Sequence, residues 1–323
     1  MQNLLDPAIL FFMFGLLAGF VRSNLEIPPP IARFLSLYLL MALGLKGGFA
    51  LRESGLTPDV VGSLVLAVLM AVSVPALGYL ILRRFLNGYD AAALAATYGS
   101  VSAVTFITAV QFLEQNHVPY GGHMAAAMAL MESPAIVMAV MLANWTRQQH
   151  DGGEGPRSAI SPSKVLHESF TDGAQLLLLG AMVVGVVTGE SGERAMQPFS
   201  GDLFKGMLSF FLLDMGLLAS RNIGELRGKS PWLLLYALLA PWVHAAMALG
   251  LARVAGLSVG DTTLLMVLAA SASYIAVPAV VRQAIPEANP SLYFGMSLGL
   301  TFPFNILFGI PIYHTVARWA AGP

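Results

Sequence analysis

Long apolar stretches alternate with short polar ones along nearly the whole chain. Each apolar stretch is about as long as a helix that crosses a bilayer, roughly 20 residues. The ten stretches lie at 7–21, 31–50, 60–82, 90–113, 124–144, 172–189, 203–219, 231–252, 261–284 and 291–317. The pattern predicts an all-α polytopic membrane protein with ten transmembrane helices.

The longest polar stretch lies between the fifth and sixth predicted spans. It runs from Arg147 to Lys164 and is rich in glycine and charged residues, as in a flexible linker. We therefore expect a first five-helix unit at 1–146, a cytoplasmic linker at 147–164 and a second five-helix unit at 165–323.

The two halves resemble each other when the sequence is shifted by 171 residues. The shift pairs Asp90 with Asp261 near the starts of spans four and nine. It also pairs two Ser-x-Ser motifs in the middle of those spans. Because each half has an odd number of spans, the second half must be inverted relative to the first. Inverted repeats are typical of secondary transporters, which bind substrate near the membrane midplane.

The Ser-x-Ser motifs predict that spans four and nine are broken helices. Serine competes for backbone hydrogen bonds and favours helix N-caps. Two breaks that meet would direct helix N-termini and hydroxyls into one cavity, which suits a small anion. The alternative is that these serines bond to the preceding helical turn and aid packing. The predicted substrate-binding residues are Ser100, Val101, Ser102, Ser271, Ala272, Ser273 and Tyr274.

Glu132 lies inside the fifth predicted span, where an ionised carboxylate is costly unless it meets a cation or a proton. Prolines in spans five and ten free carbonyl groups nearby. Ser133, Thr301 and Asn305 supply further oxygen atoms, so these residues and Glu132 form the predicted cation-coupling set. The alternative is a protonated Glu132 that is hydrogen-bonded to a neighbouring helix. For Asp214 in span seven, both interpretations remain open.

Composition excludes several other classes of protein. The chain is 56% hydrophobic and only 11% charged, with a mean hydropathy of +0.71. It has no cysteine, which excludes disulfides and thiolate sites, and its net charge of −1 argues against nucleic acid. It carries no nucleotide-binding, hydrolase or metal-site motif, so neither an enzyme nor a primary pump is expected.

The basic residues predict the orientation. If the N-terminus is outside, eleven Lys and Arg residues lie in inside loops and six lie outside. The positive-inside rule then favours two external termini and a cytoplasmic linker, in a cell (inner) membrane.

Four segments resemble the cyanobacterial sodium-dependent bicarbonate symporter family. They are LGLKGGFALR at 43–52, GSVS at 99–102, MESPA at 131–135 and AIPEANPSLYFG at 284–295. The resemblance covers nearly the whole chain, in order. It implies a ten-helix protomer with core and gate regions, sodium-coupled bicarbonate uptake and a homotrimer. In cyanobacteria it also implies inhibition by a PII-like protein at the cytoplasmic face.

The chain departs from the family pattern at the predicted site. Val101 stands where the family has glycine, and Tyr274 stands where it has aspartate. The departures bear on the identity of the anion and on the number of sodium ions. The linker is also much shorter than in cyanobacterial members, so the resemblance does not extend to the PII-like regulator.

The sequence thus favours a secondary active transporter with sodium as the coupling ion. Moving an anion into a negative cell costs about 2.3 kcal/mol per 100 mV, which an entering cation offsets. One alternative is a proton-coupled transporter of a small carboxylate, with Glu132 as the proton carrier. The other, from a different class, is a membrane pore or a substrate sensor that uses the same broken helices.

Overall fold

A computed structural model describes residues 5–55, 57–150, 172–226 and 228–322. Within those ranges the protein is all-α, without a β-strand. The helices are α1 (Pro7–Phe20), α2 (Pro29–Ser54), α3 (Pro58–Leu82), α4 (Gly88–Gly99), α5 (Ala103–Gln115), α6 (Met124–His150), α7 (Gly173–Met196), α8 (Phe204–Ile223), α9 (Pro231–Ala255), α10 (Val259–Ala270), α11 (Ala276–Ala284) and α12 (Pro290–Ala321). Helix α12 includes two π-helical segments, Gly295–Thr301 and Asn305–Gly309.

The chain is a multi-pass membrane protein. Seven helical stretches of the described chain are long and apolar enough to cross a bilayer, and one of them, Gly173–Leu226, is 54 residues long. That stretch contains both α7 and α8, and it bends at Gly189, whose φ of 55° is left-handed. Helices α1 and α10 are shorter apolar helices. Ten separate crossings therefore stay a prediction.

Four helices pack through glycine. Helix α1 lies along α8, and α2 lies along α7. A Cβ atom at Gly15 would collide with the carbonyl oxygen of Leu213, and one at Gly48 would collide with that of Met182. Such close backbone approach is typical of membrane helix interfaces. We call α1, α2, α7 and α8 the paired unit.

The remaining helices, α3–α6 and α9–α12, surround the two helix breaks, and we call them the crossing unit. Helix α3 packs on α4 and α6, while α9 packs on α10 and on α12. Asn87 caps α4 by accepting from the backbone N–H of Asp90, and Ser258 caps α10 by accepting from that of Asp261. The two caps are 171 residues apart, the spacing of the sequence repeat.

The two repeat aspartates each bind the opposite half of the chain. Asp90 accepts from the backbone N–H of Asn289, just before α12, at 2.7 Å. Asp261 accepts from the backbone N–H of Gly121, just before α6, also at 2.7 Å. Each half therefore anchors the loop that precedes the last helix of the other half.

The predicted linker begins inside a helix. Helix α6 continues to His150, so the first four residues of the stretch predicted at 147–164 are helical. Arg147 donates to both carboxylate oxygens of Glu287. This hydrogen-bonded pairing holds the pKa of Glu287 below its ordinary value. The remainder of the predicted linker lies outside the described residues.

Candidate functional site

The two predicted breaks are present, and they cross. Helix α4 ends at Gly99 and α5 begins at Ala103, while α10 ends at Ala270 and α11 begins at Ala276. The backbone N–H of Ser102 donates to Ser271 Oγ at 2.9 Å. The backbone N–H of Ser273 donates to the carbonyl of Thr97 at 2.8 Å. Backbone groups freed by each break are thus partly paired by the other break, as a polar backbone inside a membrane requires.

Ser102 and Ser273 each accept a hydrogen bond at the start of the second half-helix. Ser102 Oγ accepts from the backbone N–H of Thr105 at 3.2 Å and from Thr105 Oγ1 at 2.9 Å. Ser273 Oγ accepts from the backbone N–H of Val277 at 3.3 Å. In these hydrogen bonds both hydroxyls act as acceptors, so their hydrogen atoms can be donated to a bound anion.

The other break residues have different roles. Ser271 Oγ donates to the carbonyl of Leu268 at 2.9 Å, which is the bond to the preceding turn that the packing alternative predicts. Ser100 is buried, and its hydroxyl has no hydrogen-bond partner within the described part of the chain. Ala272 is also buried. None of the three lines the cavity described next.

A cavity of about 240 Å³ lies beside the crossing. Its lining includes four of the seven predicted substrate-binding residues, Val101, Ser102, Ser273 and Tyr274, together with Glu132. The predicted anion site and the predicted coupling carboxylate therefore share one space.

Tyr274 lines the cavity with a buried aromatic side chain. Its ring lies 5.2 Å from that of Phe302 in an edge-to-face contact. Its hydroxyl lies near that of Ser102, without a hydrogen bond of good geometry among the described residues. A buried phenol with so weak a contact can donate to a ligand.

Glu132 meets helix α7 across the cavity. Gln175 Nε2 donates to Glu132 Oε2. Asp172 lines the same cavity and caps α7, where its Oδ1 accepts from the backbone N–H groups of Ala174 and Gln175 at 3.0 and 3.2 Å. Sequence reasoning missed Asp172 and Gln175. The available signal was a single amide inside an apolar stretch, directly after an Asp-Gly helix start.

Thr301 and Asn305 lie outside this cavity and bind backbone carbonyls. Thr301 Oγ1 donates to the carbonyl of Ala237 at 2.8 Å, the group that Pro241 leaves without its helical donor. Asn305 Nδ2 donates to the carbonyl of Ala270 at 2.9 Å, at the end of α10. Ser133, next to Glu132, is buried and does not line the cavity either.

The cavity is acidic. Glu132 and Asp172 line it, and none of the described residues around it is a Lys, Arg or His. No group of three or more His, Cys, Asp or Glu side chains suited to a metal ion occurs in the described ranges. Ionised carboxylates at this position would repel an anion and attract a monovalent cation.

Ion pairs close the opposite ends of the same helices. Lys46 Nζ lies 3.0 Å from Glu114 Oε1 and links α2 to the end of α5. Asp6 Oδ2 accepts from Gln115 at 2.7 Å and pairs with Lys205 at 2.8 Å. Burial opposes ionisation of Asp6, but these hydrogen bonds outweigh it and hold the pKa of Asp6 below its ordinary value. The end of α5 is thus fixed to the paired unit on the side away from the cavity.

Comparison with known proteins identifies the family of the chain. No curated protein matches the chain significantly. The family model of the Na⁺-dependent bicarbonate transporter superfamily matches residues 7–318, which is nearly the whole chain. The chain therefore belongs to the Na⁺-dependent bicarbonate transporter superfamily.

Proposed function

We propose that the protein is a secondary active transporter that carries bicarbonate or a similar small anion into the cell together with sodium. The observation that carries the proposal is the cavity at the helix crossing. There, hydroxyl donors from both breaks lie beside two carboxylates and, among the described lining residues, no basic side chain. Membership of a Na⁺-dependent family supports sodium as the coupling ion.

The anion binds at the crossing. The N-termini of α5 and α11 carry partial positive charge, and Ser102, Ser273 and Tyr274 offer hydroxyl donors. Ser100, Ser271 and Ala272 shape the backbone behind these donors. Val101 narrows the space, which favours a small, planar or compact anion over a bulky one.

Sodium binds at the carboxylate side of the same cavity. Without a cation, the anion would lie near Glu132 and Asp172 and be repelled by both. Simultaneous binding neutralises part of that repulsion, so each ion raises the affinity for the other. This reciprocal effect is the basis of symport.

In this proposal the chain crosses the membrane ten times in two inverted halves, 1–146 and 165–323. A cytoplasmic linker at 147–164 joins the halves. Two observations support the inverted halves. Asp90 and Asp261 each anchor the other half, and α1 packs on α8 as α2 packs on α7. We place the protein in the cell (inner) membrane with both termini outside. By resemblance to the family, the assembly is a homotrimer.

Proton-coupled transport of a small carboxylate is the second candidate. The observation that favours it is that Glu132 is hydrogen-bonded to a neutral amide and not to a basic side chain. A protonated Glu132 can still accept this hydrogen bond from Gln175 through its carbonyl oxygen.

Uptake by purified protein in liposomes separates these candidates. Vesicles with an imposed sodium gradient, an imposed proton gradient or neither receive labelled bicarbonate, nitrate or acetate. Sodium-driven, saturable bicarbonate accumulation supports the proposal. Acetate uptake that follows only the proton gradient supports the second candidate. Flux that never exceeds equilibrium indicates a pore, and binding without flux indicates a sensor.

A further inference from the structure

Gln175 lines the cavity beside Glu132 and carries an unpaired amide oxygen. The side chain is only 5% exposed, and its Nε2 is used by the hydrogen bond to Glu132. Its Oε1 is buried and has no hydrogen-bond partner in the part of the chain that the structure describes. A buried amide oxygen without a hydrogen-bond donor is unfavourable, so a bound cation or donor would stabilise it.

Asp172 adds a second acceptor beside it. Its Oδ1 caps α7, and this leaves Oδ2 outside the cap. Asp172 and Glu132 line the same cavity, and two ionised carboxylates in one space repel each other. A cation placed between them would remove that repulsion.

We propose that Glu132, Gln175 and Asp172 form the binding site for the coupling sodium ion, at the junction of α6 and α7. Oxygen atoms of carboxylates and amides are the ligands that hard cations such as sodium prefer. The assignment rests on the proposed function only for the coupling role of the ion. It replaces the predicted set of Ser133, Thr301 and Asn305, whose side chains do not line this cavity.

The site has a mechanical consequence. Glu132 belongs to the crossing unit, whereas Gln175 and Asp172 belong to the paired unit. The three side chains come together only while the two units are in this arrangement. Sodium therefore stabilises this arrangement over any in which the units have moved apart, which ties ion binding to conformation.

Sodium binding to the purified protein, without bicarbonate, tests the site. Radiolabelled sodium is titrated at constant ionic strength with choline as the replacement. Asp172→Asn keeps a good helix cap and removes the charge, and Gln175→Met keeps the length and removes the oxygen. The matched control is Gln111→Met, on α5 and away from this cavity. We expect at least a tenfold rise in the sodium Kd for both site variants and none for the control.

The outcomes separate this inference from the proposed function. Sodium affinity equal to the wild type in folded Asp172→Asn protein overturns the site, even if sodium still drives bicarbonate uptake. Wild-type protein whose thermal stability responds to pH but not to sodium also overturns it, because the carboxylates would then hold a proton. Weakened sodium binding in the site variants supports the site, even where the wild type fails to transport bicarbonate.

Discussion

The hydroxyl groups of the two breaks differ in their local hydrogen bonds. Ser102 and Ser273 occupy equivalent places in the two halves, but their local hydrogen bonds differ. Ser102 caps α5 through two contacts with Thr105, whereas Ser273 accepts one longer bond from Val277. Substitution of Ser102 should therefore affect both stability and binding, and substitution of Ser273 should affect mainly binding.

Ser102→Ala and Ser273→Ala should each weaken anion affinity by about tenfold to a hundredfold, because a hydrogen bond to a charged group is worth about 1.5–3 kcal/mol. Ser102→Ala should also lose about 1 kcal/mol of stability with its cap. The measurements are bicarbonate-dependent uptake and thermal unfolding. Ser209→Ala on α8, whose hydroxyl bonds only to the preceding turn, serves as control. Unchanged affinity in both variants would place the anion elsewhere.

Tyr274→Phe should keep the fold and change the anion affinity. It removes a hydroxyl that has only a weak contact with Ser102, and it retains the ring contact with Phe302. We expect thermal stability at or above that of the wild type and bicarbonate affinity lowered by about tenfold. Competition by several anions, measured against labelled bicarbonate, checks this. Identical competition profiles would show that the hydroxyl does not contact the substrate.

The broken helices depend on side chains from other elements. Asn305 of α12 binds the last carbonyl of α10 and accepts from the hydroxyl of Tyr313 at 2.9 Å. Thr301 binds a carbonyl freed in α9. These contacts explain the presence of polar residues in an otherwise apolar, mostly buried stretch of α12.

Asn305→Ala should destabilise the protein by about 2–4 kcal/mol, because it leaves a buried carbonyl and a buried phenol each without a partner. Thermal unfolding in detergent measures the change. Thr315→Ala, which removes a bond to the preceding turn at an exposed position of the same helix, should have little effect. Equal melting temperatures for the two variants would contradict the role of Asn305 at the break.

Sequence reasoning located both breaks but not every partner. The breaks were predictable because Ser-x-Ser recurs at equivalent places in the two halves. Thr301 and Asn305 were assigned to the cation set because they are polar residues near prolines in a membrane span. Spacing along one helix does not reveal which neighbouring helix a side chain faces. Asp172 and Gln175 were missed for a related reason, since neither has a repeat partner.

The cavity and the ion pairs lie at opposite ends of α5. The cavity lies at the N-terminal side of α5, next to Ala103. Glu114 lies eleven residues further along α5, or about 16 Å at the helical rise, and is held there by Lys46. The proposed transport needs access to the site from both sides of the membrane, so we expect the pairs at Glu114 and Asp6 to break during each cycle.

Lys46→Met combined with Asp6→Asn should shift the protein toward a state that is more open at the Glu114 end of α5. The chain has no native cysteine, so a single cysteine introduced at Thr108 in the crevice beside Asp6 reports its accessibility. We expect a several-fold faster reaction with a membrane-impermeant maleimide in the variant. Glu190→Gln, which breaks an exposed pair with Arg194, is the control. Equal labelling rates would show that these pairs do not keep the end closed.

The most direct test of sodium-coupled anion transport is the paired accumulation of both ions. Proteoliposomes with a fixed inward sodium gradient, clamped pH and clamped voltage receive labelled bicarbonate and labelled sodium in the same assay. The account predicts that bicarbonate rises above equilibrium, that sodium enters in constant proportion to it, and that Glu132→Gln abolishes this proportion. Bicarbonate that stops at equilibrium, or that accumulates without sodium entry, would contradict it.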